Sequence, residues 1–167
     1  MPQSSLFGYR LVLLLVGASF PAASTLAAEP RIAGPVAADI VKVRDGDTVE
    51  VEAHIWPQQV VRVAVRLRGI DAPELKARCD AEKTAAIAAR TRLTALLAPG
   101  GVTLSNISGD KYFGRVLAEL NTADGTDVGR ALLREGLVVA YGGKTRRDWC
   151  KTRPTPHSAG AATGHAG

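Results

Sequence analysis

Apolar and polar residues alternate along three segments in the first half of the chain, residues 36–43, 48–55 and 60–70. A period of two with many β-branched residues is typical of half-buried antiparallel strands. Asp45-Gly46 between the first two segments and residues 56–59 between the last two have the composition of tight turns. The pattern predicts two consecutive hairpins.

Residues 80–98 change to helical spacing of apolar positions, and Pro99-Gly100-Gly101 ends that helix. Two further strands follow at 102–107 and 113–120, and then a short helix at 127–135. The order β-β-β-α-β-β-α contains no βαβ alternation. It predicts a mainly β fold of the α+β class, a five-stranded OB-like β-barrel with one long helix and a shorter C-terminal helix.

The N-terminus carries one cation, Arg10, then an apolar run at 11–20, and then small residues up to Ala28. This order is typical of a Sec-type signal peptide, and the run is shorter than the roughly 20 residues that span a bilayer. A retained N-terminal anchor is the alternative. We expect residues 1–28 to be a removed signal peptide and the protein to be secreted or periplasmic, without stable membrane insertion afterwards.

The remaining chain divides into a predicted folded domain at 29–150 and a predicted disordered tail at 151–167, which is rich in small and polar residues. One core is enough for a domain of this size. The full chain has a net charge of +5, which favours polyanionic partners without identifying one. We expect a monomer with no obligate protein partner.

Both cysteines, Cys79 and Cys150, lie in the predicted exported part. An even number in an oxidising compartment favours a disulfide, and two unpaired buried thiols are the alternative. Neither cysteine has a second ligand at the spacing of a zinc site.

Two carboxylates fall where predicted strands begin or end. Asp47 follows the first turn, and Asp71 ends the third strand. Together with a backbone carbonyl they could form an all-oxygen site for a hard cation such as calcium or magnesium. Arg66 precedes Asp71 by an odd number of residues, so an ideal strand would put them on opposite faces unless the chain bends near Gly69.

Four segments together resemble the signature sequences of the staphylococcal nuclease family and occur in the family's order. They are DGDT at 45–48, RLRGIDAPE at 66–74, DKYFGRVLA at 110–118 and LREGLVVAY at 133–141. Each segment alone is a weak signal, whereas four in register are a specific one.

The resemblance implies an endonuclease that hydrolyses DNA and RNA with little sequence specificity and leaves 3′-phosphate products. It implies one Ca²⁺ ion bound by Asp47, Asp71 and the carbonyl of Ala72. The resemblance also implies that Arg66 and Arg115 bind the phosphate and that Glu74 orients or deprotonates the attacking water. Three further residues would line the nucleotide: Lys111, Tyr112 and Tyr141.

The chain departs from the family pattern in two places. One additional residue lies between Tyr112 and Arg115, so either Tyr112 or Phe113 could take the ring position. Gly142-Gly143 stands where a second aromatic residue is expected.

Other interpretations remain open. A noncatalytic OB-like nucleic-acid-binding module would keep the barrel, although it would not need the acids. A secreted polyanion-binding protein explains none of the four segments. Away from the predicted site, Arg62, Arg68 and the basic run at 144–147 are expected to be solvated cations.

Overall fold

The computed structural model of the protein describes residues 30–151. The predicted signal peptide at 1–28 and all but the first residue of the predicted tail lie outside these residues. The described part contains eight strands and two helices. They are β1 (Arg31–Ile32), β2 (Val36–Val43), β3 (Thr48–Trp56), β4 (Gln59–Leu67), β5 (Ile70–Asp71), α1 (Asp80–Leu97), β6 (Val102–Gly109), β7 (Arg115–Thr122), α2 (Val128–Arg134) and β8 (Val139–Ala140).

Five of the strands close into a barrel. Strands β2, β3 and β4 form the two predicted antiparallel hairpins, and β6 pairs antiparallel with both β2 and β7. A parallel pairing of β4 with β7 closes the circle. The predicted α+β fold with an OB-like five-stranded barrel, a long helix and a shorter C-terminal helix is therefore confirmed.

The core follows from the two periodicities in the sequence. Alternate residues of β3 and β4 point inward, and Val49, Val51 and Val65 are completely buried. Helix α1 contributes one apolar face, on which Ala89 and Leu93 are completely buried. Burial of these side chains fixes which face of each element lies towards the interior, and so fixes the register of the strands.

The predicted third strand is interrupted. Strand β4 ends at Leu67, Arg68 and Gly69 form a turn, and β5 then pairs with β8. Gly69 has φ +79°, a conformation that costs glycine little. Strands β5 and β8 have two residues each, too few to produce a periodic signal. After this turn the Asp71 carboxylate lies within hydrogen-bond distance of Arg66 in β4.

Gly46 lies in the turn between β2 and β3, where that turn packs against α1. A Cβ atom at Gly46 would lie 2.7 Å from the Cβ atom of Ala89 and 2.9 Å from that of Ala72. The same turn is held by Asp45, whose carboxylate accepts a hydrogen bond from the backbone N–H of Asp47 at 3.0 Å. Close packing at Gly46 therefore fixes the point at which Asp47 enters β3.

Cys79 immediately precedes α1, and it forms the predicted disulfide with Cys150 across a Cα–Cα distance of 6.0 Å. The bond joins the start of the long helix to the end of the described chain. Neither helix within residues 30–151 has the length and apolar character needed to cross a membrane.

The Gly46→Ala variant is expected to destabilise the protein by about 1–3 kcal/mol, because the added methyl group has no space between Ala72 and Ala89. Urea unfolding monitored by circular dichroism measures the change. Gly109→Ala is the matched control, since a Cβ atom there meets nothing within 4 Å. Equal loss of stability in both variants would contradict the packing argument.

Reduction of the Cys79–Cys150 disulfide is expected to lower the free energy of unfolding by ~4 kcal/mol, because the bond closes a long loop. Thermal melts with and without a reductant should then differ by more than about 10 °C. The Cys79→Ser/Cys150→Ser variant serves as the control, and its Tm should not respond to the reductant. A wild-type Tm that reduction leaves unchanged would rule out a stabilising role for the bond.

Candidate functional site

Two buried carboxylates meet at one guanidinium group. Asp47 and Asp71 are 3% and 0% exposed. Arg66 donates from Nη1 to Asp47 Oδ1 at 2.5 Å and from Nη2 to Asp71 Oδ1 at 3.2 Å. The turn at Gly69 thus supplies the bend that the odd separation of Arg66 and Asp71 requires. Buried charges persist only when they are paired and hydrogen-bonded, and Arg66 provides that pairing for both acids.

The two carboxylates differ in how fully they are hydrogen-bonded. Asp47 Oδ1 also accepts from the hydroxyl of Thr48 at 2.9 Å, and its Oδ2 accepts from the backbone N–H of Ala72 at 2.9 Å. Oδ2 of Asp71, by contrast, is buried and has no hydrogen-bond partner within residues 30–151. An unpartnered buried carboxylate oxygen is costly, and a bound cation would remove that cost.

The donor atoms fit a hard divalent cation. Asp47, Asp71 and the Ala72 carbonyl offer only oxygen, which calcium and magnesium prefer. Another metal-like group in the described residues consists of Cys79, Glu82 and Cys150. Its two sulfur atoms form the disulfide, and metal binding requires the thiolate form. The candidate cation site is therefore the Asp47–Asp71 site.

Arg146 lies against the same acids, which corrects the prediction that it belongs to a solvated basic face. Its Nε donates to Asp71 Oδ1 at 2.7 Å, its Nη1 to Glu74 Oε1 at 2.6 Å and its Nη2 to the Ala72 carbonyl at 3.2 Å. Partial burial lowers the pKa of Arg146, but the bond to Glu74 and the charge of Asp71 outweigh it and hold the pKa above its ordinary value. The sequence gives no periodic signal for residues 141–150, so their path was not predictable.

Glu74 lies on the loop between β5 and α1, and its side chain is 48% exposed. Glu82 in the first turn of α1 holds this loop, because it accepts from the backbone N–H of Glu74 at 3.4 Å and of Arg78 at 3.2 Å. Glu82 is only 6% exposed. Sequence reasoning missed it, since an acid in the first turn of a helix is common for reasons of helix polarity alone.

A cleft of about 750 Å³ opens beside the acids. Its lining includes most of the site residues predicted from the sequence, together with Arg146. They are Arg66, Glu74, Lys111, Tyr112, Arg115, Tyr141 and Arg146. Asp47 and Asp71 do not line the cleft but connect to it through Arg66.

Arg115 lies at the start of β7, where its Nε donates to the carboxylate of Asp110. Its guanidinium carbon is 4.6 Å from the centre of the Tyr112 ring, and Lys111 Nζ is 5.0 Å from the same ring. Phe113 is fully exposed and does not line the cleft. Of the two candidates for the ring position, Tyr112 lines the cleft and Phe113 does not.

Tyr141 also lines the cleft, and its hydroxyl donates to the Lys144 carbonyl at 2.9 Å. Gly142 and Gly143 continue that wall without side chains. Backbone atoms of the two glycines therefore stand where the family pattern has a second aromatic side chain.

Arg62 and Arg68 differ from each other, although both were predicted to be solvated. Arg62 is exposed and pairs with Glu50 at 2.5 Å. Arg68 is partly buried, and its Nη2 donates to the carbonyls of Asn106 and Leu117 at 2.9 and 3.1 Å. Arg68 therefore binds β6 and β7 at the place where the register between these strands shifts, between Ser105 and Ser108.

Asp45 adds negative charge at the turn before Asp47. Burial, together with the neighbouring Asp47 charge, raises the pKa of Asp45 to about 6. Two carboxylates therefore lie close together at this turn, which favours a cation nearby.

Comparison with known proteins agrees with this geometry. The profile of the family described as "Staphylococcal nuclease homologue" matches residues 64–155. Two curated relatives, from Escherichia coli and Escherichia coli O157:H7, are each named "Uncharacterized endonuclease", and each is 31% identical over 112 residues. The aligned region covers 67% of this chain and 65% of each relative, so the chain spans about 65% of the length of these relatives. The chain belongs to the staphylococcal nuclease homologue family.

Proposed function

We propose that the protein is a calcium-dependent endonuclease that hydrolyses phosphodiester bonds in DNA and RNA with little sequence specificity. One observation carries the proposal: Arg66 binds two buried carboxylates and at the same time lines a cleft that also contains Glu74 and Arg115. Acids next to a surface that attracts a polyanion are unfavourable for simple binding, so their presence favours catalysis.

The two arginines are suited to a phosphodiester group. Hydrolysis builds negative charge on the phosphate oxygens, and a guanidinium group offers two parallel donors that match two of them. Arg66 is fixed by its acids, and Arg115 is fixed by Asp110 and the Tyr112 ring. Donors that are already oriented do not have to reorganise as charge develops, which is the largest contribution in many enzymes.

Asp47, Asp71 and the Ala72 carbonyl would hold one calcium ion. Calcium accepts irregular sets of carboxylate and carbonyl oxygens, whereas magnesium demands a nearly ideal octahedron. The free Oδ2 of Asp71 supports this assignment. When bound, the ion would supply positive charge and Lewis acidity beside the phosphate.

Glu74 would orient or deprotonate the attacking water for in-line displacement. Its carboxylate is half-exposed and lines the cleft, and Glu82 holds its backbone in position. A carboxylate in this place can accept a proton from water at the moment of attack. Attack with departure of the 5′ oxygen would leave the proposed 3′-phosphate product.

Lys111, Tyr112 and Tyr141 would contact the nucleotide. An exposed tyrosine ring can stack on any base, and a lysine attracts any phosphate, so neither reads sequence. The lining of the cleft therefore supports low sequence specificity and acceptance of both DNA and RNA.

The proposal includes action outside the cytoplasm, as a secreted or periplasmic protein. The signal-like N-terminus and the Cys79–Cys150 disulfide support it, because disulfides persist mainly in oxidising compartments. A noncatalytic OB-like binding module is the second candidate, and the exposed Tyr112 beside two cations favours it.

Substitution of Glu74 by Gln is expected to lower the rate of plasmid and RNA cleavage by about 10²–10⁴-fold, because glutamine cannot accept the proton of water. Gel assays with Ca²⁺ and with a chelator measure the rate, and end analysis of the products tests for the 3′-phosphate. Glu52→Gln is the control, since Glu52 lies on β3 and does not line the cleft.

The two candidate functions give different results in this assay. Calcium-dependent cleavage that Glu74→Gln abolishes supports the enzyme. Tight binding of nucleic acid by the wild-type protein without cleavage under any condition would contradict it and favour the binding module.

Replacement of Arg115 by Lys should reduce cleavage by about 10²–10³-fold with little change in Tm, because lysine keeps the charge but loses the planar pair of donors. Steady-state kinetics and a thermal melt provide the two readouts. The matched control is Arg62→Lys, which changes an exposed arginine on β4 outside the cleft. Full activity of the Arg115→Lys variant would exclude the proposed bidentate phosphate contact.

A further inference from the structure

Arg146 binds three groups that the proposed function assigns to the cation and the attacking water. These groups are the Asp71 carboxylate at 2.7 Å, the Ala72 carbonyl at 3.2 Å and the Glu74 carboxylate at 2.6 Å. The guanidinium uses all three of its nitrogen atoms for these contacts. A positive side chain therefore occupies the Ala72 carbonyl, one oxygen of Asp71 and the carboxylate that would act on the water, directly beside the open Oδ2 of Asp71.

Binding a divalent ion and the guanidinium to the same oxygen atoms at the same time would be energetically unfavourable. Both are cations, they would compete for the Ala72 carbonyl, and they would repel each other beside Asp71. Asp71 Oδ1 already accepts from both Arg66 and Arg146, which leaves Oδ2 as its open oxygen. Arg66 lies deeper, with a side chain 15% exposed, whereas that of Arg146 is 45% exposed.

We propose that Arg146 is a built-in counter-cation of the acidic site, which competes with the divalent ion, sets its affinity and is displaced when it binds. This inference rests on the proposed function. Arg146 thereby neutralises Asp71 and Glu74 in the ion-free protein, and cation binding releases it towards the cleft that it lines.

The local chain supports such a displacement. Residues 142–147 are all exposed, and Gly142 and Gly143 precede the arginine. The segment is attached at one end through β8 to β5 and at the other through Cys150 to the start of α1. The Arg146 side chain can therefore leave the acids while its backbone remains beside the cleft, where the next negative partner is a phosphate of the substrate.

The expected effect on cation binding follows from the competition. If the site binds an ion only while Arg146 is disengaged, the apparent Kd equals the intrinsic Kd divided by the disengaged fraction. Removal of the guanidinium makes that fraction equal to one. Coupling free energies in proteins commonly correspond to about 5–150-fold in affinity, and we expect the Arg146→Gln variant to bind calcium roughly tenfold more tightly.

Isothermal titration calorimetry with Ca²⁺ on the purified, disulfide-intact protein tests the proposal without reference to nuclease activity. Arg146→Gln is compared with the wild type and with Lys144→Gln, which removes the same charge from an exposed residue of the same segment. We expect a roughly tenfold lower Kd for Arg146→Gln and an unchanged Kd for Lys144→Gln. The Kd of the Arg146→Lys variant should lie between those of the wild type and Arg146→Gln, because lysine keeps the charge but cannot bind the three groups together.

Thermal melts provide a second readout. In a chelator, Arg146→Gln should have a lower Tm than the wild type, because the ion-free acids lose their counter-cation. At saturating Ca²⁺ that difference should shrink or vanish, since Arg146 is then disengaged in both proteins. A Tm deficit of the same size with and without calcium would contradict the proposal.

The possible results separate the two proposals. Equal or weaker calcium binding by Arg146→Gln, with binding by the wild type intact, overturns the role of Arg146 and leaves the nuclease function standing. Loss of nucleic-acid affinity without any change in calcium affinity would likewise overturn it, in favour of a phosphate contact alone. Absence of calcium binding in every variant contradicts the proposed metal site, and the inference fails with it.

Discussion

The contact of Arg66 with Asp47 and Asp71 is the interaction on which the rest of the site depends. It joins the start of β3, the end of β4 and the end of β5, three places that are separated along the chain. Removing Arg66 would leave the buried Asp47 carboxylate without its charged partner, and breaking a buried pair in this way commonly costs about 3–5 kcal/mol. The same contact that lets the carboxylates be buried therefore fixes their positions relative to one arginine in the cleft.

Around this fixed centre the site is assembled from parts of different rigidity. Arg66 lies on barrel strand β4 and the two acids lie buried beside it, in the turn before β3 and in β5, whereas Glu74, Tyr112 and Arg146 lie on loops or exposed segments. Glu82 and Asp110 hold two of these loops through hydrogen bonds to Glu74 and Arg115. A rigid scaffold with functional groups on its connecting segments is the arrangement found in most binding and catalytic sites.

The sequence predicted the barrel well because strand and helix periodicities are long and regular in this chain. It could also identify Asp47, Arg66 and Asp71 as candidates, but it left open whether Arg66 and Asp71 face the same way. That depended on the Gly69 turn, whose effect on direction requires coordinates. Arg146 and Arg68 could not be assigned, because a cation in a basic run or on a strand has the same sequence pattern whether it is solvated or bound to distant oxygens.

The parallel pairing of β4 with β7 has a consequence for how the molecule becomes functional. The register places Arg115 opposite Ala64 and Leu117 opposite Arg66, although α1 and β6 lie between the two strands in the sequence. Bringing these distant strands together costs the closure entropy of a long loop before the strands gain any favourable contact. Nonlocal pairing of this kind is characteristic of slow folding. A chain that ends before β7 has neither a closed barrel nor the second arginine, so the cleft requires a pairing between strands that are distant in sequence.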